Sequence, residues 1–330
     1  MLVNFLTPER AKCLRHILLS RSRWTSRGSS RPQLNRRVEL TPAEANPSPQ
    51  GQGRLAGPIA FTAVFSASCL TLSAIWEYEN MRTKALQFRQ KATNWMQAQT
   101  QKQGNFRNHL NIWWNSLSEE QKLFFGILVA NTTVLLAWRA PSLKNFMVTY
   151  FCSNPFSRAV CWPMVLSTFS HYSFLHFGVN MYVLHSFMNG ATHSMGKEQF
   201  LGFYLSAGVV SSLSSHIFKT MSRLPGISLG ASGAIMGVLG YFCSQHPNAI
   251  LQVAFIPGFT FTADTGLKSL LCIDTLGLLM RWRLFDHAAH LGGALFGIFW
   301  QHWGQQEIWN RRVGILQAWH NFRTGVRPGE

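Results

Sequence analysis

Acidic residues are scarce in this chain. Asp and Glu number 13 against 30 Lys and Arg in 330 residues, a formal net charge of +17. Charged residues make up only 13% of the chain and hydrophobic ones 47%. The basic excess gathers near the N-terminus and otherwise scatters through loops, so no nucleic-acid partner is expected. No HExxH and no GxGD occurs, which removes the usual metalloprotease and aspartyl intramembrane protease chemistries. None of the six cysteines forms a CxxC pair, so neither a zinc site nor a disulfide framework is expected, and no metal or cofactor is implied. The N-terminus also lacks the continuous apolar run of a secretory signal.

What stands there instead is rich in Arg and Ser. Residues 1–38 carry Arg or Lys at nine positions and a single acid, Glu9. Leu14, Ile17 and Leu18 can line one side of a short helix. That composition is the one a mitochondrial transit peptide has; a disordered basic tail is the alternative. A Pro/Gly-rich linker follows, so residues 1–57 are expected to form a targeting segment plus linker.

A bilayer crossing needs about 20 apolar residues. Residues 58–76 meet that requirement, and residues 77–122 turn polar again. The next spans are expected at about 123–138, 174–188, 200–218, 228–243, 266–280 and 287–303, with a loop over 141–170 and a C-terminal tail over 305–330. Residues 248–262 are apolar but broken by Pro257-Gly258 and read as a re-entrant or surface segment. The expectation is an all-α polytopic membrane protein with one isolated span before a six-helix core at 123–304.

Polar side chains inside spans are costly and point to function. Ser232 sits between small residues in Gly230-Ala231-Ser232-Gly233-Ala234, with Gly233, Gly237 and Gly240 continuing as a small-residue stripe. Such a serine also serves as packing glue. His290 shares a helix face with Gly293 and Gly297, so its helix can nest against that stripe and bring imidazole to hydroxyl. Alone, it reads equally as a structural histidine. His176 and Asn180 are i,i+4 neighbours after His171, two donors suited to a developing oxyanion. The three groups open alternate spans, which run in one direction, so they can converge below one membrane face.

GxSG at 230–233, AHxxGxxxG at 289–297 and HxxxxHxxxN at 171–180 resemble the marks of the rhomboid intramembrane proteases. The resemblance covers about residues 120–304, and the 1+6 layout with a transit-like front is similar to the mitochondrial inner-membrane branch. It implies a Ser–His dyad of Ser232 and His290. It also implies an oxyanion site from the Ser232 backbone N–H, His176 and Asn180, and packing support from Gly230, Gly233, Gly237, Gly293 and Gly297. Asp274 and Asp286 are assigned to structure. Substrates are expected to be single-pass transmembrane proteins that unwind locally before cleavage, in a lipid bilayer, with the N-terminus in the matrix and the C-terminus in the intermembrane space. The alternatives are a catalytically silent binder of transmembrane helices and a transporter relaying protons through intramembrane histidines.

Overall fold

The computed structural model describes residues 55–94, 105–252, 258–282 and 285–325, so the targeting segment expected before residue 55 lies outside the described residues. The chain is helical almost throughout. Helix α1 spans Ala56–Asn94, α2 Asn105–Ser116 and α3 Glu119–Ala137. After a 3-10 turn at Pro141–Leu143 come the short helices α4, Lys144–Tyr150, and α5, Cys161–Leu166. Then follow α6, Phe174–Met195, α7, Lys197–Ser222, and α8, Ser232–Gln245. A small hairpin pairs β1, Ile250–Gln252, with β2, Thr260–Thr262, in antiparallel register. The last elements are α9, Ala263–Leu279, α10, His287–Phe299, π-helical turns over Trp300–Trp309, and α11, Val313–Thr324.

The protein is an all-helical membrane protein. Among the described residues, α1 and α7 are each long and apolar enough to cross a bilayer, and α3 joins them if it is counted with the 141–150 segment, bent by 95° against it. Of the remaining core helices, α6 has 22 residues, α9 17, α8 14 and α10 13. At about 1.5 Å rise per residue, the 14 residues of α8 cover roughly 20 Å of a hydrocarbon core about 30 Å thick.

Three departures from the pattern have plain causes. Helix α1 continues well past Trp76, because the polar residues from Glu77 onward are good helix formers with no Gly or Pro among them. The 141–170 region, expected as a loop, contains α4, α5 and 3-10 turns. Within the apolar 248–262 stretch, Ile250–Gln252 and Thr260–Thr262 pair as the hairpin strands, with only exposed and half-buried positions on both.

Small residues let the helices approach closely, and several buried polar side chains bond to carbonyls of their own helix. Ser206 donates to the Gly202 carbonyl at 2.7 Å, Asn131 to Ile127 at 2.8 Å and Thr192 to Met188 at 2.8 Å, each within its own helix. Helix α1 lies against α7 so closely that a Cβ at Gly202 would stand 2.6 Å from Ser73 Oγ. The main core gathers Phe200, Phe203, Tyr204, Leu184, Met188, Tyr241 and Trp300 and runs along α8 as far as Ala234 and Ala231 beside Ser232.

Candidate active site

Ser232 is the first residue of α8, and its position is set by the segment before it. Ser153 and Ser228 exchange backbone hydrogen bonds of 2.8 and 2.9 Å. The Gly230 N–H donates to the Ser167 carbonyl at 2.9 Å, and the Ala231 N–H to His171 Nε2 at 3.3 Å. Gly230 has φ +127°, a conformation open to glycine and strained for other residues. A side chain there would also meet His176, whose Cε1 lies 2.7 Å from an ideal Cβ.

Helices α8 and α10 make the most extensive helix–helix contact among the described elements. A Cβ on Gly293 would run into the Gly233 carbonyl, and one on Gly297 into the Gly237 carbonyl. On the facing helix, a Cβ at Gly237 would meet Ala207 Cβ at 2.7 Å and the Gly293 carbonyl oxygen at 3.4 Å. Gly233 itself accommodates the Ser211 side chain of α7. The glycines thus bring the two backbones into contact, and at the shared end His290 Nε2 lies 3.0 Å from Ser232 Oγ. That distance allows proton transfer from hydroxyl to imidazole.

His176 sits near the start of α6, whose N-cap Ser173 accepts from the His176 backbone N–H at 3.0 Å. Its ring faces Gly230 and lines the same cavity as Ser232 and His290. Asn180 is placed differently. It is buried, its Nδ2 donates to the His176 carbonyl at 2.8 Å, and it is absent from the cavity wall. One of its two amide protons is thus held by its own helix, and Asn180 is not brought up to Ser232 as His176 is.

The cavity has a volume of about 940 Å³ and is walled by α6, α9, α10 and the 224–229 segment, with Val179, Leu224, Ile227, Leu278, Trp282 and Phe285 supplying an apolar lining. Ser232 stands at an α-helix N-terminus, where backbone N–H groups lack intrahelical partners and the helix dipole favours negative charge. Among the described residues, no group of three or more His, Cys, Asp or Glu is arranged to hold a metal ion.

The two aspartates differ. Asp286 caps α10, accepting from the Ala289 N–H at 3.1 Å. Its other oxygen accepts from Ser215 at 2.6 Å, from Lys219 at 3.0 Å and from Ser228. That network ties α7, the 224–231 segment and α10 together at the cavity wall. Asp274, on α9, places Oδ1 2.7 Å from His287 Nδ1 and 3.3 Å from His290 Nδ1. Sequence reasoning treated it as a helix-packing contact; its intramembrane carboxylate was the signal that more was there.

A second serine–histidine pair shows what the first one has besides distance. Ser153 Oγ is 2.8 Å from His216 Nε2, yet both residues are fully buried and neither lines the cavity.

Comparison with known proteins agrees with this architecture. Residues 158–304 match the Rhomboid domain. The chain is 44% identical over 308 residues to the mitochondrial presenilin-associated rhomboid-like protein of Mus musculus, covering 92% of this chain and 82% of that one. It is 32% identical over 202 residues to the mitochondrial Rhomboid protein 1 of Saccharomyces cerevisiae, covering 60% of this chain and 58% of that one. It is 30% identical over 139 residues to the Rhomboid protease GluP of Bacillus subtilis, covering 42% of this chain and 25% of that one. Glycine-nested helices that present a serine and a histidine to one cavity, in a chain this similar to mitochondrial relatives, make this a mitochondrial membrane protein that belongs to the rhomboid family.

Proposed function

We propose that the protein is an intramembrane serine endopeptidase of the mitochondrial inner membrane that cleaves single-pass transmembrane proteins in or near their spans. The observation that carries this reading is the 3.0 Å contact between His290 Nε2 and Ser232 Oγ in an open cavity.

In the reaction, Ser232 Oγ attacks the scissile carbonyl carbon as His290 Nε2 takes its proton. The Ser232 backbone N–H and His176 receive the negative oxygen, and Asn180 joins them by swinging its second amide proton toward the cavity. The tetrahedral intermediate collapses, the C–N bond breaks, and His290 returns the proton to the leaving amine. Water, activated by the same imidazole, then hydrolyses the acyl-enzyme and regenerates Ser232. Loss of one oxyanion donor costs about 3 kcal/mol of transition-state stabilisation. Because α8 is short, its starting serine lies below the membrane surface. An intact substrate helix shields its amides, so the segment must unwind before attack.

The layout is one span before a core of six. Support comes from parity: Arg312, after the last helix of the core, binds Glu77, just after the first span, at 2.8 and 3.0 Å. Two points on one side of a membrane are separated by an even number of crossings. With the N-terminus in the matrix, both lie in the intermembrane space and the cavity opens toward the matrix.

Among the described residues, the Asp274–His287 pair is what favours a proton-relay transporter. The readings separate on Ser232. In proteoliposomes containing a transmembrane substrate, wild-type protein should cleave and take up a fluorophosphonate probe, while Ser232→Ala and His290→Ala do neither. Undiminished cleavage by Ser232→Ala rejects the proposal. Folded wild-type protein that neither cleaves nor labels is the silent helix binder.

A further inference from the structure

The resemblance implies a catalytic pair, but the structure puts a third group behind it. We propose that Asp274 is a positioning residue that sets the tautomer and orientation of His290, with His287 holding the carboxylate in place. This inference rests on the protease reading above.

The geometry is that of a relay from α9 to α10. His290 presents Nε2 to Ser232 Oγ at 3.0 Å, and its other ring nitrogen, Nδ1, is 3.3 Å from Asp274 Oδ1. A neutral imidazole carries one proton. With that proton on Nδ1, facing the carboxylate, Nε2 bears the lone pair that must receive the serine proton. In the other tautomer Nε2 carries a hydrogen and cannot act as a base toward Ser232. The carboxylate also lowers the energy of the imidazolium that forms as Ser232 attacks.

The site is built rather than incidental. The Asp274 side chain is only 6% exposed, and a buried carboxylate without partners is strongly disfavoured. His287 meets that need, donating or sharing a proton at 2.7 Å from a ring that is itself buried. Gly277, one turn after Asp274 on the same helix face, makes the seat: a Cβ there would stand 2.5 Å from His287 Cδ2, Cε1 and Nε2. His287 and His290 in turn lie one turn apart on α10, so a single carboxylate reaches both. The nearby alternative, Asp286, is occupied by Lys219, Ser215, Ser228 and the Ala289 N–H.

The groups facing His290 come from every element around it. His176, on α6, shares the cavity wall with it. Asp274 faces it from α9, His287 from its own helix and Ser232 from α8. On α7, the cavity-lining Lys219 is paired with Asp286.

The test uses the full chain in proteoliposomes with Asp274→Asn and Asp274→Glu, reading kcat, KM, the pH–rate profile and melting. Asp274→Asn should lower kcat by roughly 10- to 100-fold with KM within about twofold, since the amide can stabilise the wrong tautomer. Its acid limb should move to lower pH, because the anion that favours the protonated ring is gone. Asp274→Glu should recover part of kcat and leave the acid limb near its wild-type position. Wild-type kcat in folded Asp274→Asn, or a fall in kcat and melting with an unmoved acid limb, overturns the proposal. Should Asp274→Asn not fold, His287→Asn decides: the carboxylate then faces His290 alone, the acid limb should move to higher pH, and an unmoved limb is the negative result. None of these outcomes mimics failure of the protease reading, which shows instead as cleavage that survives Ser232→Ala or as folded wild-type protein that neither cleaves nor labels.

Discussion

At the scale of single residues, distance alone does not distinguish a nucleophile. Ser153–His216 is as short as Ser232–His290, but no route from the cavity reaches it, and it serves to hold the strand-like pairing that leads to Gly230. Replacing Ser153 with Ala leaves a buried imidazole nitrogen unpaired and should cost about 1–3 kcal/mol of stability. Fluorophosphonate labelling of Ser232 should persist in that variant wherever it remains folded. Gly230→Ala should do the reverse. A methyl group at φ +127° and 2.7 Å from His176 Cε1 strains the turn and displaces the ring. Backbone strain of this kind costs about 1–3 kcal/mol, and labelling should slow at least tenfold, as measured by the rate of probe uptake. Ser232, His290 and His176 were legible in the sequence because short-range rules, the GxSG turn and the helical spacing of His290 with Gly293 and Gly297, put them on known faces. Asp274 was not, because its role depends on how far α9 leans toward α10. Asn180 was legible as a donor but not in its orientation, since an amide on a helix has its own backbone carbonyl as a competing acceptor.

At the scale of elements, the decisive object is the α8–α10 crossing. Its stripe was legible as glycines at helical spacing, and the structure adds what each glycine clears. Gly297→Leu would drive a branched side chain into the Gly237 carbonyl and should separate the helices. Overpacking of that kind costs about 1–3 kcal/mol or more, and cleavage should fall below detection while expression-level folding, followed by melting, drops only partly. The same crossing is braced from α7. Lys219 and Asp286 form an ion pair whose side chains are 13% and 21% exposed, with two serines completing the carboxylate's shell. Lys219→Met removes the cation and leaves the carboxylate, a change worth about 3 kcal/mol where the site is well buried and less where water reaches it. Melting in detergent should show it. What the sequence concealed at this scale were elements stabilised by neighbours: α4 and α5 are too short to form alone, and the β1–β2 hairpin closes a loop between α8 and α9.

At the scale of the whole molecule, one end carries the chemistry and the other a polar clasp. Where α1 emerges from its span, Glu77 binds Arg312, Tyr78 OH lies 2.6 Å from His320 Nδ1, and Glu79 accepts from Trp319 Nε1 at 2.9 Å and Arg323 at 2.5 Å. Asn80 donates to Glu198 at 2.7 Å, and Lys197 pairs with Glu119, so the starts of α3 and α7 join the same layer. The clasp ties the isolated first helix and the C-terminal helix α11 to the core on the face away from Ser232. Hydropathy says nothing of this layer, because its partners are 78 to 244 residues apart in the chain. Its strength should depend on pH. The Trp319 N–H, followed by the Arg323 and Arg82 charges, holds the Glu79 carboxyl below the usual glutamate range. A carboxylate lowered on folding contributes stability at neutral pH and loses it as pH falls through its folded value. Acidification below the ordinary glutamate range should therefore loosen α11 from α1 before the core opens. Hydrogen exchange across residues 313–324 should rise in acid while exchange in α8 and α10 stays protected. Glu79→Gln should show the looser α11 already at neutral pH and lose the acid-dependent step. Exchange in α11 that is equally slow in both proteins at every pH would mean that packing, not charge, holds the clasp.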